Sequence, residues 1–147
     1  MDNYEIIGSS IDKMPFMALV TNLSKNYIKY LNKELEKYNI NSIQSLFLVK
    51  LNYFDDLSQN DLARIFNLSK GSVAKSLKKL ENEGYIIRKT DNGDFRRNII
   101  ELTDKSLEII PKIKEINGEW ETYMGISEDS KLNNLIKDLT LKSFKLL

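Results

Sequence analysis

One change of pattern constrains how this chain can fold. Apolar residues recur at three- and four-residue spacing along most of its 147 residues, as on one face of an amphipathic helix. Residues 85–90 (YIIRKT) and 98–103 (NIIELT) instead form two β-rich segments, separated by DNGDFRR with its Asp-Asn-Gly turn. The sequence therefore predicts a mainly α-helical fold with one small β-hairpin, whose turn is basic.

The first third predicts two helices. A long amphipathic helix is expected from about residue 12 to residue 38, and Pro15 can sit only near its start. Its apolar stripe consists of Leu19, Leu23, Tyr27, Leu31, Leu35 and Tyr38. Asn41 and Gln44 have the spacing of a capping box, which predicts that a second helix begins there and ends near residues 52–56.

The middle third predicts two further helices joined by a tight turn. Ser58 and Asp61 open a short helix, and Ser69 caps the next one, which Gly84 ends. In that next helix, three apolar residues share the inward face: Val73, Leu77 and Leu80. Two helices joined by a turn of about three residues and followed by a hairpin make a winged helix-turn-helix.

The last third predicts two more helices. Thr103 caps a fifth helix, and residues 117–126 either extend it or form a loop. A serine followed by two acidic residues at positions 127–129 is expected to open the last helix. We expect a single domain, 1–147, with a winged helix-turn-helix lobe at 41–103 and flanking helices at 1–40 and 104–147.

Positive charge is concentrated in one part of a nearly neutral chain. Residues 64–97 hold nine basic and four acidic residues, a net charge of +5. Since the whole chain carries +1, the remainder carries −4. A basic region of this kind suits the phosphate surface of double-stranded DNA, although a lysine-rich helix face is more often only a solvated surface.

Several residues of the middle third are therefore candidates for DNA contact. Small residues near the start of the second helix of this motif let its backbone approach base edges, and lysines further along supply long donors. The candidates on and before this helix are Ser69, Lys70, Gly71, Ser72, Lys75, Ser76 and Lys79. In the hairpin turn, Asp94 can orient Arg96 toward the minor groove, and Arg97 is a candidate phosphate contact. For Asp94 and Arg96, the alternative is an ordinary surface salt bridge.

The ordered motifs resemble the multiple-antibiotic-resistance-regulator (MarR) family of bacterial and archaeal transcription factors. The matching residues are Leu80-Glu81, Gly84, Arg88, Asp94, Arg96 and Leu102-Thr103. Phe95 departs from the family pattern, which often has a basic residue at this position of the wing. The resemblance implies that residues 1–40 and 104–147 are dimerisation helices. It also implies a small phenolic or anionic effector bound between these helices and the DNA-binding lobe. Aromatic residues that could line such a cavity are Tyr27, Tyr30, Tyr53 and Phe54, but tyrosines at helical spacing more often belong to a core.

The function expected from these observations is a sequence-specific, double-stranded-DNA-binding transcriptional regulator, acting as a homodimeric repressor on a pseudo-palindromic site. Apolar positions beyond the needs of one lobe favour pairing of two chains: Ile6, Ile7, Ile11, Leu139, Leu141, Phe144, Leu146 and Leu147. The alternative is a winged-helix protein-interaction module that does not read DNA sequence.

Composition argues against an enzyme. The chain has no cysteine and no histidine, which excludes thiolate chemistry, cysteine-based redox sensing and the commonest general base. It contains no phosphate-binding glycine loop, metal-ligand cluster or serine-hydrolase motif, so we expect no cofactor. Because no segment has the length and apolarity of a membrane span or the features of a signal peptide, we expect a cytoplasmic protein with no membrane partner.

Overall fold

The computed structural model describes residues 3–90, 92–93 and 98–147, with side chains from Glu5 onward. In these ranges the chain is mainly helical and contains one antiparallel hairpin, which confirms the predicted fold class. The helices are α1 (Asn3–Ile11), α2 (Phe16–Leu35), α3 (Ser42–Tyr53), α4 (Gln59–Ile65), α5 (Lys70–Asn82), α6 (Asp104–Met124) and α7 (Lys131–Phe144). The strands are β1 (Ile86–Thr90) and β2 (Asn98–Leu102).

The long first helix predicted from about residue 12 begins later than expected. Pro15 is the N-cap of α2 and has extended backbone angles, φ −60° and ψ 154°. A proline also disfavours helical geometry in the residue before it, so the separate helix α1 ends upstream, at Ile11. The prediction gave no helix over residues 3–11. At the other end, α2 passes into a 3-10 turn, Glu36–Tyr38, which agrees with the predicted end near residue 38.

Four of the predicted caps are confirmed. Asn41 and Gln44 form the capping box of α3, and Ser58 and Asp61 form that of α4. Ser69 caps α5 by accepting a hydrogen bond from the backbone N–H of Ser72, and Thr103 caps α6 in the same way. Short polar side chains thus satisfy backbone N–H groups that the first turn of a helix leaves unpaired.

The segment between α6 and α7 differs in part from the prediction, which left residues 117–126 open and began the last helix at 127–129. Helix α6 continues to Met124, so most of the ambiguous segment 117–126 is helical. The last helix does not begin at residues 127–129, because the N–H of Ser130 bonds to the carbonyl of Ser127 and closes a turn there. Ser130 is the N-cap instead, and its hydroxyl accepts from the N–H of Asn133.

A single cluster of buried side chains holds α2 to α6 and the hairpin together. The inward-facing residues predicted for α5 are fully buried in it: Val73, Leu77 and Leu80. Phe47 and Leu48 of α3, Leu62 of α4 and Ile113 of α6 are fully buried in the same cluster. Among the described side chains, none from α1 or α7 belongs to this core. The burial of apolar surface therefore joins α2 and α6 to the residues of the predicted lobe and leaves α1 and α7 outside the core.

Tyr85 lies where α5, the hairpin and α6 meet. Gly84 has φ +78°, a conformation that glycine adopts without strain, and it reverses the chain after α5. The N–H of Tyr85 then bonds to the carbonyl of Leu80 at 2.9 Å, which closes a Schellman motif. The carbonyl of Tyr85 accepts bonds from the hydroxyls of Ser106 and Thr103 at the start of α6. Its phenol donates to the carbonyl of Tyr38 at 2.7 Å, so one residue connects four segments.

The hairpin is attached to α5 by a salt bridge. Both Nε and Nη2 of Arg88 on β1 donate to one carboxylate oxygen of Glu81 on α5, at 3.1 and 2.5 Å. The bond from the Arg88 guanidinium holds the pKa of Glu81 below its usual range, against the partial desolvation that raises it. A second pair, Lys89 with Glu101 at 2.8 Å, links the two strands of the hairpin. On the other side of the hairpin, Ser58 forms an isolated antiparallel bridge with Ile99.

Tyr85→Phe should lower the free energy of unfolding by about 1 kcal/mol, because the carbonyl of Tyr38 loses its donor in a partly buried position. Urea unfolding at one protein concentration measures this change. Tyr123→Phe is the matched control, since the side chain of Tyr123 is 88% exposed and its loss of a hydroxyl should leave stability unchanged. Equal stabilities of the two variants would contradict the role assigned to the phenol of Tyr85.

The pKa of the Glu81 carboxyl should lie below the ordinary glutamate value in the wild-type protein. It should return toward that value in Arg88→Gln. Because the folded-state pKa is lowered, the stabilisation from this pair is complete above the ordinary pKa of glutamate. It is lost as pH falls through the lowered value.

Titration of the side-chain carboxyl carbon by NMR measures this pKa. Lys89→Gln is the control, because Lys89 pairs with Glu101 and its loss should leave the titration of Glu81 in place. A titration of Glu81 that does not change in Arg88→Gln would refute the assignment.

Candidate nucleic-acid interface

The solvent-facing side of α5 carries the residues predicted to contact DNA. Because the inward face of this helix is occupied by the core, its opposite face is open to solvent. The predicted residues are exposed except Ser76, which is half-buried: Ser69, Lys70, Gly71, Ser72, Lys75, Ser76 and Lys79. Gly71, Ser72, Lys75 and Lys79 therefore lie on the outward side of the helix, whereas Ser76 lies nearer the buried face.

The first turn of α5 combines small side chains with fixed hydroxyls. The hydroxyl of Ser69 accepts from the N–H of Ser72 at 3.1 Å and donates to the hydroxyl of Ser72 at 2.9 Å. A Cβ atom added at Gly71 would meet no other atom within 4 Å, which agrees with its position facing open space. This end of the helix offers little steric hindrance to an approaching surface.

The turn between α4 and α5 sets the direction of α5. Asn67 lies in the left-handed region with φ +50°. The N–H of Leu68 bonds to the carbonyl of Ala63 at 2.9 Å, which satisfies a carbonyl at the end of α4. The tight connection predicted at Leu68 and Ser69 is confirmed, and Ser69 caps α5 immediately after it.

The basic residues of this region fall into two groups. Three of them are paired with carboxylates of the same chain: Arg64 with Asp61 at 3.3 Å, Arg88 with Glu81, and Lys89 with Glu101. The lysines of α5 have no ion pair with any carboxylate that the structure describes: Lys70, Lys75, Lys78 and Lys79. Lys78 was not among the predicted contacts, although its helical spacing places it on the outward side and it is exposed beside the others. Among the described residues of this region, the charge available to an anionic partner is therefore concentrated on α5.

The predicted wing residues Asp94, Arg96 and Arg97 lie outside the described residues, as does Phe95. Their roles stay predictions. The two strands that flank them pair in antiparallel register from Ile86 with Leu102 to Thr90 with Asn98. Arg88 of β1 pairs with Glu81 of α5, so the hairpin strands are held beside the candidate interface.

A separate cavity of about 430 Å³ lies between α2, the end of α6 and the start of α7. Tyr27 lines it, and its ring lies 5.4 Å from that of Trp120, centroid to centroid. The phenol of Tyr27 donates to the side-chain oxygen of Asn117 at 2.6 Å. Burial raises the pKa of Tyr27, and the nearby carboxylate of Glu121 and the phenol of Tyr30 raise it further.

The other aromatic residues considered from the sequence do not line this cavity. Tyr30 packs against Trp120 at 5.1 Å, on the core side. Tyr53 and Phe54 are exposed, and each lies close to a lysine ammonium: Lys114 is 4.5 Å from the ring of Tyr53, and Lys50 is 4.8 Å from that of Phe54. Of the four, Tyr27 alone is a lining residue here.

Comparison with known proteins places the chain among transcriptional regulators. The model of the MarR family matches residues 38–97, which begin at the last residue of the 3-10 turn and include α3, α4, α5 and β1. The regulator BilQ of Clostridioides difficile is 28% identical over 122 residues, 82% of each chain. The regulator SarZ of Staphylococcus haemolyticus is 29% identical over 128 residues, which cover 87% of this chain and 85% of that protein.

Solved structures of the family superpose on nearly the whole chain. A MarR transcriptional regulator from Methanosarcina mazei is 30% identical, with a TM-score of 0.72 over 96% of this chain and 95% of its own. The crystal structure of MarR is 25% identical, with a TM-score of 0.81 over 99% and 96%. MepR of S. aureus, in a complex with DNA, is 25% identical, with a TM-score of 0.74 over 90% and 96%. The chain belongs to the MarR family of winged helix-turn-helix transcriptional regulators, which are DNA-binding proteins and not enzymes.

Proposed function

We propose that this protein is a homodimeric transcriptional repressor that reads a pseudo-palindromic site in double-stranded DNA. The observation that carries the proposal is the exposed face of α5, where four lysines lack a described ion pair beside a helix start with small side chains. Neutralisation of DNA phosphates by such lysines releases counterions and supplies affinity. The DNA complex of the related S. aureus MepR supports this assignment.

The residues divide between base and phosphate contacts. Residues 71–76 at the start of α5 read base edges in the major groove, because Gly71 and Ser72 allow close approach. Lys75 and Lys79 extend from the same face to phosphates. In the wing, Arg96 enters the minor groove, Asp94 orients it, and Arg97 contacts phosphate.

Exposed apolar surface on the terminal helices supports a homodimer. On α7, Leu132, Leu135, Ile136 and Leu139 form a stripe at helical spacing, and each is at least 38% exposed. Exposed apolar residues of α1 and the start of α2 add to this surface: Ile6, Ile7, Ile11, Phe16 and Met17. An isolated soluble chain rarely exposes so much apolar area, and pairing about a two-fold axis covers it. Two copies of α5 then face successive major grooves about one helical turn apart.

A bound dimer represses by excluding other proteins from its site, and a small-molecule effector releases it. The effector acts by binding one spacing of the two lobes better than the other, since only differential affinity moves such an equilibrium. The family resemblance implies a phenolic or anionic compound. Among the residues that the structure describes, no helix is both long and apolar enough to cross a bilayer. Because its proposed partner is chromosomal DNA, we place the protein in the cytoplasm.

Fluorescence anisotropy with the DNA upstream of the protein's own gene tests sequence reading. The wild type should bind this DNA more tightly than scrambled DNA of equal length, and the preference should survive physiological salt. Lys79→Ala should weaken binding to every sequence and reduce the salt slope by about one, because it removes a phosphate contact. Arg96→Ala should weaken binding most where the minor groove is narrow.

Lys131→Ala, on the exposed first turn of α7, is the matched control and should bind DNA like the wild type. If binding is equal for both DNAs and disappears as salt rises, the next experiment is a selection of binding sites from the whole genome. A failure to enrich any sequence there would favour the protein-interaction module over the regulator.

Sedimentation equilibrium tests the dimer. The wild type should have twice the 17.1 kDa chain mass at micromolar concentration. Leu135→Asp should shift the protein toward the monomer, because it places a charge within the apolar stripe of α7. In the monomer this side chain is already 55% exposed, so the fold should persist in the variant.

Asn134→Asp adds the same charge one residue earlier, on the opposite face of α7, and should leave the dimer intact. Far-ultraviolet circular dichroism checks that both variants are folded. A wild-type protein that sediments as a monomer would rule out the proposed architecture.

A further inference from the structure

The cavity between α2, α6 and α7 has a lining of unusual composition. Apolar side chains from two of these helices form its walls, and two aromatic rings and one carboxylate complete it. Six of the lining residues carry the argument: Leu23, Tyr27, Trp120, Glu121, Leu132 and Ile136. A volume of about 430 Å³ is within the range of small-molecule sites.

The electrostatics of this cavity are one-sided. Glu121 is the acidic residue of the lining, and no lysine or arginine is among the described residues that line it. The same carboxylate contributes to the raised pKa of Tyr27, after burial, so its negative charge reaches the aromatic wall. Tyr30 also packs on Trp120, and Glu119 and Glu34 raise the pKa of Tyr30 after burial. Carboxylates therefore act on both tyrosines of the aromatic cluster.

The backbone fixes Glu121 at the edge of the cavity. Gly125 ends α6 with φ +69°, and the N–H of Ile126 returns to the carbonyl of Glu121 at 2.9 Å. This turn places Ile126 in the lining next to Glu121 and Trp120. The aromatic wall is fixed as well, since the phenol of Tyr27 is held by Asn117. The backbone at Glu121 and the ring of Tyr27 are thus held in place, which lowers the cost of binding.

We propose that this cavity binds a small lipophilic cation, such as a quaternary or protonated amine with an aromatic or alkyl body. The apolar walls take the body, and the faces of Tyr27 and Trp120 attract the cationic head through their ring quadrupoles. Glu121 neutralises the charge. An anion would meet Glu121 with no described basic side chain in the lining to offset it, so this site differs from the phenolic or anionic one that the family resemblance implies. Binding stands on the cavity itself, whereas its consequence for DNA rests on the proposed function.

Trp120 is the one tryptophan of the chain, so its emission reports this cavity directly. The probes are three small aromatic compounds of different charge: benzyltrimethylammonium, benzyl alcohol and benzoate. The expected result is a saturable change in emission with the ammonium compound at concentrations where the other two produce none. Glu121→Gln should weaken the ammonium compound about fivefold through the loss of one exposed charge pair.

Glu115→Gln is the matched control, because Glu115 is an exposed carboxylate of the same helix outside the lining, and it should bind like the wild type. Circular dichroism of both variants confirms the helical fold. A linear, unsaturated response, equal binding of the three probes or an undiminished affinity in Glu121→Gln would overturn the proposal. If a partner chain fills the cavity in the dimer, the ammonium compound should also fail to bind saturably, and that result would overturn the proposal in the same way.

Anisotropy on DNA separates this inference from the proposed function. If the ammonium compound fails to bind while operator DNA is still read selectively, the cavity proposal fails and the regulator stands. If the compound binds saturably and no DNA is selected, the cavity stands and the proposed function fails.

Discussion

The hydrogen bonds of Tyr85 are the constraint on which the arrangement of the lobe depends. Its backbone N–H donates to a carbonyl at the end of α5, and its carbonyl accepts from the hydroxyl of the N-cap residue of α6. Its phenol donates to a carbonyl in the 3-10 turn after α2. The ammonium of Lys105 lies 4.3 Å from its ring and adds a cation–π contact. A buried residue with all these partners cannot shift without breaking several bonds at once. Helix α5 and the start of α6 are therefore joined through one buried residue.

The charges of the lobe perform two different tasks. Pairs such as Arg88 with Glu81 are exposed enough that each contributes little to stability, but Arg88 joins its partner through two nitrogens and so fixes direction. The lysines of α5 are left outside these pairs. A count of basic residues alone overstates the charge open to DNA, because part of it is already neutralised within the fold. Among the described basic residues of this lobe, those without an ion pair are mainly the lysines of α5.

Local signals in the sequence predicted the lobe, and contacts between distant segments explain what they missed. Capping residues such as Asn41 and Ser69 act within three positions, so their spacing in the sequence is sufficient to place helix starts. The start of α7 was misplaced because both Ser127 and Ser130 can cap, and the turn between them decides. The contact of Tyr27 with Trp120 joins residues that lie far apart in the chain, and only folding brings them together. The exposed face of α5 was predictable because the spacing of its apolar residues identified the buried face, and the exposed face lies opposite.

The flanking helices connect three proposed events, which are ligand binding, dimerisation and DNA binding. Some of their residues take part in more than one of these events. Ile136 belongs both to the exposed apolar stripe of α7 and to the lining of the cavity, and Leu132 does likewise. A ligand in the cavity would therefore contact the surface that a second chain is proposed to cover. By thermodynamic linkage, a ligand that favours one arrangement of the dimer is itself bound more tightly in that arrangement. Since α6 carries Trp120 near one end and joins Tyr85 at the other, it is the element through which the proposed ligand would be connected to α5.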